Sequence, residues 1–268
     1  MKPLVWSNRF PGGKRHALTL SYDDGRTGDR RLVGLLDRYG LRGTFCLNSG
    51  MLGKEGYVTP EELPHLYRNH EVAAHTVHHP DLTTLDPAQQ WEEVWQDCQT
   101  LERYWGHQVR GFSYPYGRET AEVAQLLARC GLVYARTVAS TGTFSTPTDL
   151  LRWHPTCRHR EGLVERTEAF LGQAEGEESL LFFLWGHSYE FDRDHNWDLM
   201  EWFCAQVAGR ADTWYATNGA LADYLQAQGQ LEGTEEGIVN PTGRTLWVAV
   251  DGKTVPIAGK SRFPWAER

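Results

Sequence analysis

Short apolar runs alternate with amphipathic segments through most of the 268-residue chain, and this alternation predicts its elements. Runs of four to eight apolar residues bounded by turn formers read as strands, and apolar positions three and four apart read as helices. Residues 17–22, 43–47, 71–74, 109–114, 133–136, 150–153, 180–185 and 213–216 fit the strand pattern. Residues 29–39, 87–105, 120–130, 164–171, 195–208 and 219–228 fit the helix pattern. In the first helix Leu32, Leu35, Leu36 and Tyr39 form the apolar stripe and Gly40 is the stop. Such repeated β–α units predict an α/β fold, a distorted (β/α)7-8 barrel with a parallel sheet. An open doubly wound sheet would favour a Gly-rich phosphate loop after the first strand, where the chain reads Tyr22-Asp23-Asp24-Gly25. Past Gly229 the pattern changes to short strands at 245–250 and 253–257 around Asp251-Gly252, a hairpin signal. The expected division is a barrel over 1–230 and a small β appendage over 231–268. The appendage is expected to cap the barrel, extend a groove or join subunits.

A β/α barrel carries its active site where strands end and loops begin, and the polar candidates gather at those ends. Asp23 and Asp24 follow the first strand. His75 follows the third, with His79 four residues on. Tyr116 follows the fourth, and His187 the seventh. Two imidazoles four apart on a helical turn take two corners of a metal polyhedron, with His78 pointing away. A carboxylate as third ligand suits Zn²⁺ best, with Co²⁺, Ni²⁺ or Fe²⁺ as alternatives. Taken singly, each piece also has a plain reading: Asp-Asp-Gly is a turn, and His-x3-His is a pair of surface histidines.

Composition narrows the partners. The formal charge of −8 comes with no basic stripe, which excludes the electrostatic footprint of nucleic-acid binding. No window approaches eighteen uninterrupted apolar residues, so no membrane span is expected. Five scattered cysteines resemble neither a disulfide framework nor a CxxC metal site. The first twenty residues lack the apolar core of a signal peptide. A cytoplasmic protein is the expectation.

Together the motifs resemble the polysaccharide deacetylases (NodB homology, carbohydrate esterase family 4), in order and over roughly residues 15–225. Thr19-Leu20-Ser21-Tyr22-Asp23-Asp24-Gly25 looks like the family's TFDDG motif, and His75-Thr76-Val77-His78-His79 looks like its H-[ST]-x-x-H motif. Tyr114-Pro115-Tyr116-Gly117 is similar to the third motif, and Leu184-Trp185-Gly186-His187 stands where the last one falls. The resemblance implies Asp24, His75 and His79 as metal ligands, Asp23 as general base and His187 as general acid. It implies the Tyr116 backbone N–H as an oxyanion donor, and an N-acetylated amino sugar or polysaccharide as substrate.

Two departures matter. Ser113 stands where the family has an arginine that orients the base. Arg152, before Trp153, stands where it has an aspartate. The expectation is a swap, with Arg152 reaching across the barrel mouth to Asp23 and Arg110 as the alternative. His187 then needs a new carboxylate, with Asp149, Glu190 and Asp192 nearby in sequence. Residues two apart on a strand share a face, so Trp185 accompanies His187. With Trp153 and Tyr116 it should line the substrate site, admitting acetyl but not longer acyl groups. Two other functions stay open: an amidohydrolase opening cyclic amides or ureides, and a glycan-binding barrel without catalysis.

Overall fold

The structure, a computed structural model, describes residues 6–173, 176 and 178–265. The parallel strands are β2 (His16–Asp23), β3 (Gly43–Leu47), β4 (Glu71–Ala74), β5 (Gly111–Ser113), β6 (Tyr134–Arg136), β7 (Cys157–Arg158), β8 (Leu180–His187) and β9 (Thr213–Tyr215). They alternate with α1 (Asp29–Arg38), α2 (Leu63–Leu66), α3 (Pro87–Trp105), α4 (Ala121–Arg129), α5 (Leu163–Gly172), α6 (Tyr189–Arg193), α7 (Trp197–Val207) and α8 (Asn218–Gln228). The strand order is β6-β5-β4-β3-β2-β8-β7, with β9 beside the first half of β2.

One segment closes the ring between β6 and β8. Trp153 N–H donates to Ala135 O (2.9 Å) and Thr137 N–H to Trp153 O (3.0 Å). Three residues on, Thr156 N–H donates to Phe183 O and His159 N–H to Trp185 O, both at 2.9 Å. The strand expected over 150–153 therefore lies later. Leu150–Arg152 form a 3-10 turn, with the Asp149 side chain accepting from Leu151 N–H. The helix expected over 195–208 is α7, and a short additional helix, α6, precedes it, separated from it where His195 takes φ 50°.

Period-two alternation divides each strand between two environments. On β2, Leu18, Leu20 and Tyr22 join the main core under the helices, while Thr19, Ser21 and Asp23 take the opposite face. On β8, Phe182 and Leu184 belong to that same core, and Trp185 and His187 face the cavity at the barrel mouth. The floor is polar. Glu71 accepts from Thr44 Oγ1 (2.9 Å), Tyr134 OH (3.0 Å) and Gly219 N–H (2.8 Å), tying the start of α8 across the bottom.

The appendage includes the N-terminal strand. β1 (Trp6–Arg9) pairs antiparallel with β12 (Leu246–Val250), which pairs with β13 (Lys253–Ile257). β10 (Glu232–Gly233), β11 (Gly237–Asn240) and β14 (Ser261–Pro264) form a second small sheet. Because β1 leads into the start of β2, these strands sit at the end of the barrel opposite Asp23. Tyr224 OH bonds both Arg9 O (2.9 Å) and Trp247 N–H (3.0 Å) there. Among the described residues, none of these strands contributes to the lining of the cavity at the barrel mouth.

Candidate active site

Asp23 ends β2 on its inner face, and the chain then bends sharply. Asp24 takes φ 78°, with its N–H on Cys46 O at 2.9 Å. That left-handed residue brings two adjacent carboxylates into one cavity, where a continuing strand would send them apart.

His75 follows β4, and the segment to His79 is not the helical turn its spacing suggests. Thr76 and His79 take φ 69° and 60°. Outside groups hold this loop. Asp97 of α3 accepts His75 N–H (2.9 Å) and Ser49 N–H (2.7 Å), while Asn48 Nδ2 donates to the carbonyls of His75 and Thr76. The two rings still converge, with centroids 4.6 Å apart. His78 turns outward to Glu93, as expected (Nδ1 to Oε1, 2.7 Å). Asp24, Thr76, His79 and Tyr116 are four of the seven non-glycine residues with positive φ among those described. Strained backbone of this kind persists only where its surroundings over-determine it, and it clusters at functional sites.

Asp24, His75 and His79 offer ligand atoms that all lie within 4.8 Å of one another. His75 Nδ1 sits 2.7 Å from Ser113 O; the carbonyl can only accept, so Nδ1 carries the proton and Nε2 presents its lone pair. Nε2 is 3.7 Å from Asp24 Oδ1, and His79 Nε2 is 4.0 Å from the same oxygen. Burial lowers the pKa of both imidazoles and favours the neutral form that ligates a metal. Two nitrogens and one carboxylate, oriented by outer hydrogen bonds, fit a divalent transition metal with open positions.

The guanidinium on Asp23 is Arg136, not Arg152. Arg136 is fully buried at the end of β6 and contacts both Asp23 Oδ2 and Ser113 Oγ. Burial would raise the Asp23 pKa; the Arg136 charge outweighs it and holds the carboxyl well below its usual range. Asp23 Oδ1 is buried without a partner. Arg152 instead pairs with Glu119 (2.8 Å), because its 3-10 turn lies before the barrel-closing segment and outside the mouth. Arg110 forms a bidentate pair with Asp223 of α8 (3.0 and 2.7 Å). Arg136 was readable as the last residue of the strand expected over 133–136, two positions after Tyr134 on the same face.

His187 has the carboxylate that spacing alone did not select. Its Nδ1 lies 3.5 Å from Glu190 Oε2 and 3.3 Å from Arg158 Nη2. Buried Glu190 also meets Arg158 (2.5 Å), Arg193 (3.1 Å) and His159 Nε2 (3.3 Å). Burial would raise the Glu190 pKa, but the bond to His187 and the surrounding positive charge pull it down to about 2. A Cβ on Gly186 would overlap the His159 ring, so glycine lets this cluster close beneath β8. The other ring nitrogen, His187 Nε2, is 4.0 Å from Asp24 Oδ2.

Asp23, Asp24, His75, His79, Tyr116, Trp185 and His187 line one cavity of about 470 Å³. Tyr116, 61% exposed, stands edge-on to His79 with ring centroids 4.6 Å apart. Trp185 is 5% exposed and lies against the guanidinium groups of Arg136 (4.5 Å) and Arg158 (5.1 Å). Trp153 does not reach the cavity. It is 1% exposed, packed on Tyr134 and Phe183 within the barrel, so its expected place in the substrate site is corrected.

The polysaccharide deacetylase family model matches residues 11–135. Over these residues, just under half of the chain, the sequence is similar to the polysaccharide deacetylase family. The match holds Asp23, Asp24, His75, His79 and Tyr116 and stops one residue before Arg136. A Bacillus subtilis protein assigned as a polysaccharide deacetylase, YxkH, is 25% identical over 130 residues; these are 48% of this chain and 46% of YxkH. The chain thus matches about half the length of that relative. Among solved structures, one from Mycobacterium smegmatis assigned as a polysaccharide deacetylase superposes with a TM-score of 0.66 at 19% identity, covering 86% of this chain and 98% of that one. The carbohydrate esterase family 4 domain of a xylanase from the Trinervitermes trinervoides hindgut metagenome gives 0.56 at 16% identity, covering 79% and 91%. At these identities the likeness is one of fold, and it bears out the distorted barrel read from the β–α alternation.

Proposed function

We propose that the chain is a metal-dependent hydrolase that removes an N-acetyl group from an amino sugar, alone or within a glycan. The observation carrying this reading is the convergence of Asp24, His75 and His79, flanked by a buried carboxylate on one side and an imidazole on the other. Asp24, His75 and His79 would hold the ion, which when bound polarises an acyl carbonyl and lowers the pKa of water. Zinc suits the donor set best, with cobalt, nickel and iron(II) as alternatives.

The side chains divide the proton work. Asp23 is the base; Arg136 and Ser113 fix Oδ2, and the unpartnered Oδ1 is the oxygen that accepts a proton from attacking water. His187 is the acid, delivering a proton from Nε2 to the departing amine while Glu190 braces Nδ1. The Tyr116 N–H donates to the developing oxyanion, a contribution on the order of 3 kcal/mol. Trp185 walls the acyl slot.

The test is acetate release from a panel of N-acetylated mono- and oligosaccharides before chelation, after it, and after Zn²⁺ or Co²⁺ is restored. The expected result is release that vanishes with chelator and returns with metal. Release that ignores chelator, or none from any N-acetyl sugar by metal-loaded protein, overturns the reading. Cyclic amides in the same panel would expose ring-opening activity.

A further inference from the structure

Arg26 lies two residues beyond Asp24, on the loop that carries this ligand out of β2. Its guanidinium lies over the Tyr57 ring at 4.3 Å and the Tyr189 ring at 5.3 Å. Tyr189 lines the cavity, its ring 5.4 Å from that of His187. One tyrosine therefore separates the Arg26 charge from the proposed acid.

Other arginines around this mouth have carboxylate partners: Arg158 pairs with Glu190, Arg160 with Asp194 and Arg30 with Glu62. Arg26 has none among the described residues, in a chain with 35 acidic and 27 basic side chains. Its Nε is buried and unpartnered. The terminal nitrogens donate to no partner among the described residues either, and they are not among the buried atoms. A stacked guanidinium is held in plane at little further entropic cost, and its donor fork matches the two oxygens of a carboxylate or phosphate.

We propose that Arg26, framed by Tyr57 and Tyr189, is an anion subsite that binds a carboxylate or phosphate on the substrate next to the N-acetylated sugar. The proposal rests on the deacetylase reading for its substrate and extends it, because it selects acidic glycans or sugar phosphates over neutral ones. Tyr189 faces both the cavity and Arg26, so a sugar ring seated against His187 places its neighbour or its own anionic substituent at the fork.

Calorimetric binding, which needs no turnover, tests this. The probes are a tetrasaccharide alternating N-acetylglucosamine with glucuronate, its carboxyl-reduced counterpart, and N-acetylglucosamine 1-phosphate against N-acetylglucosamine. The native protein is expected to prefer an acidic probe over its neutral counterpart by roughly tenfold or more, the scale of a charge-assisted bond. The pair that discriminates tells carboxylate from phosphate. Arg26→Gln should abolish the preference, and Arg26→Lys should keep part of it, with thermal melts confirming that both variants fold. Equal affinity of the native protein for acidic and neutral probes, or a preference that Arg26→Gln leaves intact, overturns the subsite. A preference lost in Arg26→Gln from a protein that releases no acetate would keep the subsite and remove the proposed reaction.

Discussion

Removing the Arg136 guanidinium leaves the Asp23 carboxylate buried with only Ser113 Oγ, at 3.3 Å, as a hydrogen-bond donor. Breaking such a pair costs about 3–5 kcal/mol because one charge is stranded. Arg136→Ala should therefore lower the melting temperature clearly and cut kcat by about 10²–10⁴, as loss of a positioned base does. Arg152→Ala, which loses only a partly exposed pair with Glu119, should stay within about twofold in kcat and lose at most about 1 kcal/mol of stability. Steady-state kinetics and melts on both variants check the assignment, and a reversed ranking would return Arg152 to Asp23. Trp185 raises a question of acyl length. With an indole walling the slot, acetate should be released faster than butanoate from matched substrates. Trp185→Ala should narrow or reverse that ratio. Faster butanoate release by the native protein would show that the slot is not tight.

At the scale of the element, the His75–His79 loop depends on α3. That helix starts at a capping box, where the Asp86 side chain accepts Ala88 and Gln89 N–H, and it ends at left-handed Gly106. Its Asp97 presents one oxygen to each of two backbone donors, and burial pushes its pKa up to about 7. Asn has a single acceptor oxygen and would face an N–H with its own amide. Asp97→Asn should keep the helix, shift the loop and weaken metal affinity about 10–100-fold, as loss of a hydrogen bond that orients a ligand does. Competition against a chromogenic chelator measures this, and unchanged affinity would show that the loop holds itself. The expected helical turn at His75 failed for a reason on the same scale. Spacing of four is compatible with any bend that Asn48, Asp97 and Thr76 Oγ1 can stabilise, and tertiary donors chose a left-handed one.

For the whole molecule, the charge cluster around Glu190 joins β7, β8 and α6 at the point where the barrel closes. The folded-state pKa of Glu190, about 2, lies below its ordinary 4.5. The folded protein therefore holds fewer protons than the unfolded chain between these values, and stability falls as pH drops through that window. This contribution is fully present above about pH 4.5 and lost towards pH 2. The Glu190→Gln variant should show a shallower loss of melting temperature between pH 5 and 3 than the native protein. Parallel slopes in the two proteins would show that the cluster is not differentially ionised. Among the described residues no helix is long and apolar enough to cross a membrane, in keeping with the hydropathy pattern.

The sequence by itself determined the local features: strand and helix positions, the parallel β–α order, and the motifs bearing Asp24, His75 and His79. These are legible because periodicity and turn residues act over a few positions, and because strand ends in a barrel share one face. Strand β6 was legible too, and the inward-facing Arg136 at its end with it, but the family pattern drew attention to Arg152. What tertiary structure decided was which side chains meet across the ring. Arg136, Ser113 and Asp23 come from three strands; Glu190 was one of three equal candidates until α6 bent it under β8. The offset of the closing segment moved Arg152 and Trp153 away from the mouth, and a shift of a single residue in pairing changes which face a side chain takes. Such pairing depends on contacts made more than a hundred residues apart, as between Asp23 and Arg136, which no local pattern encodes.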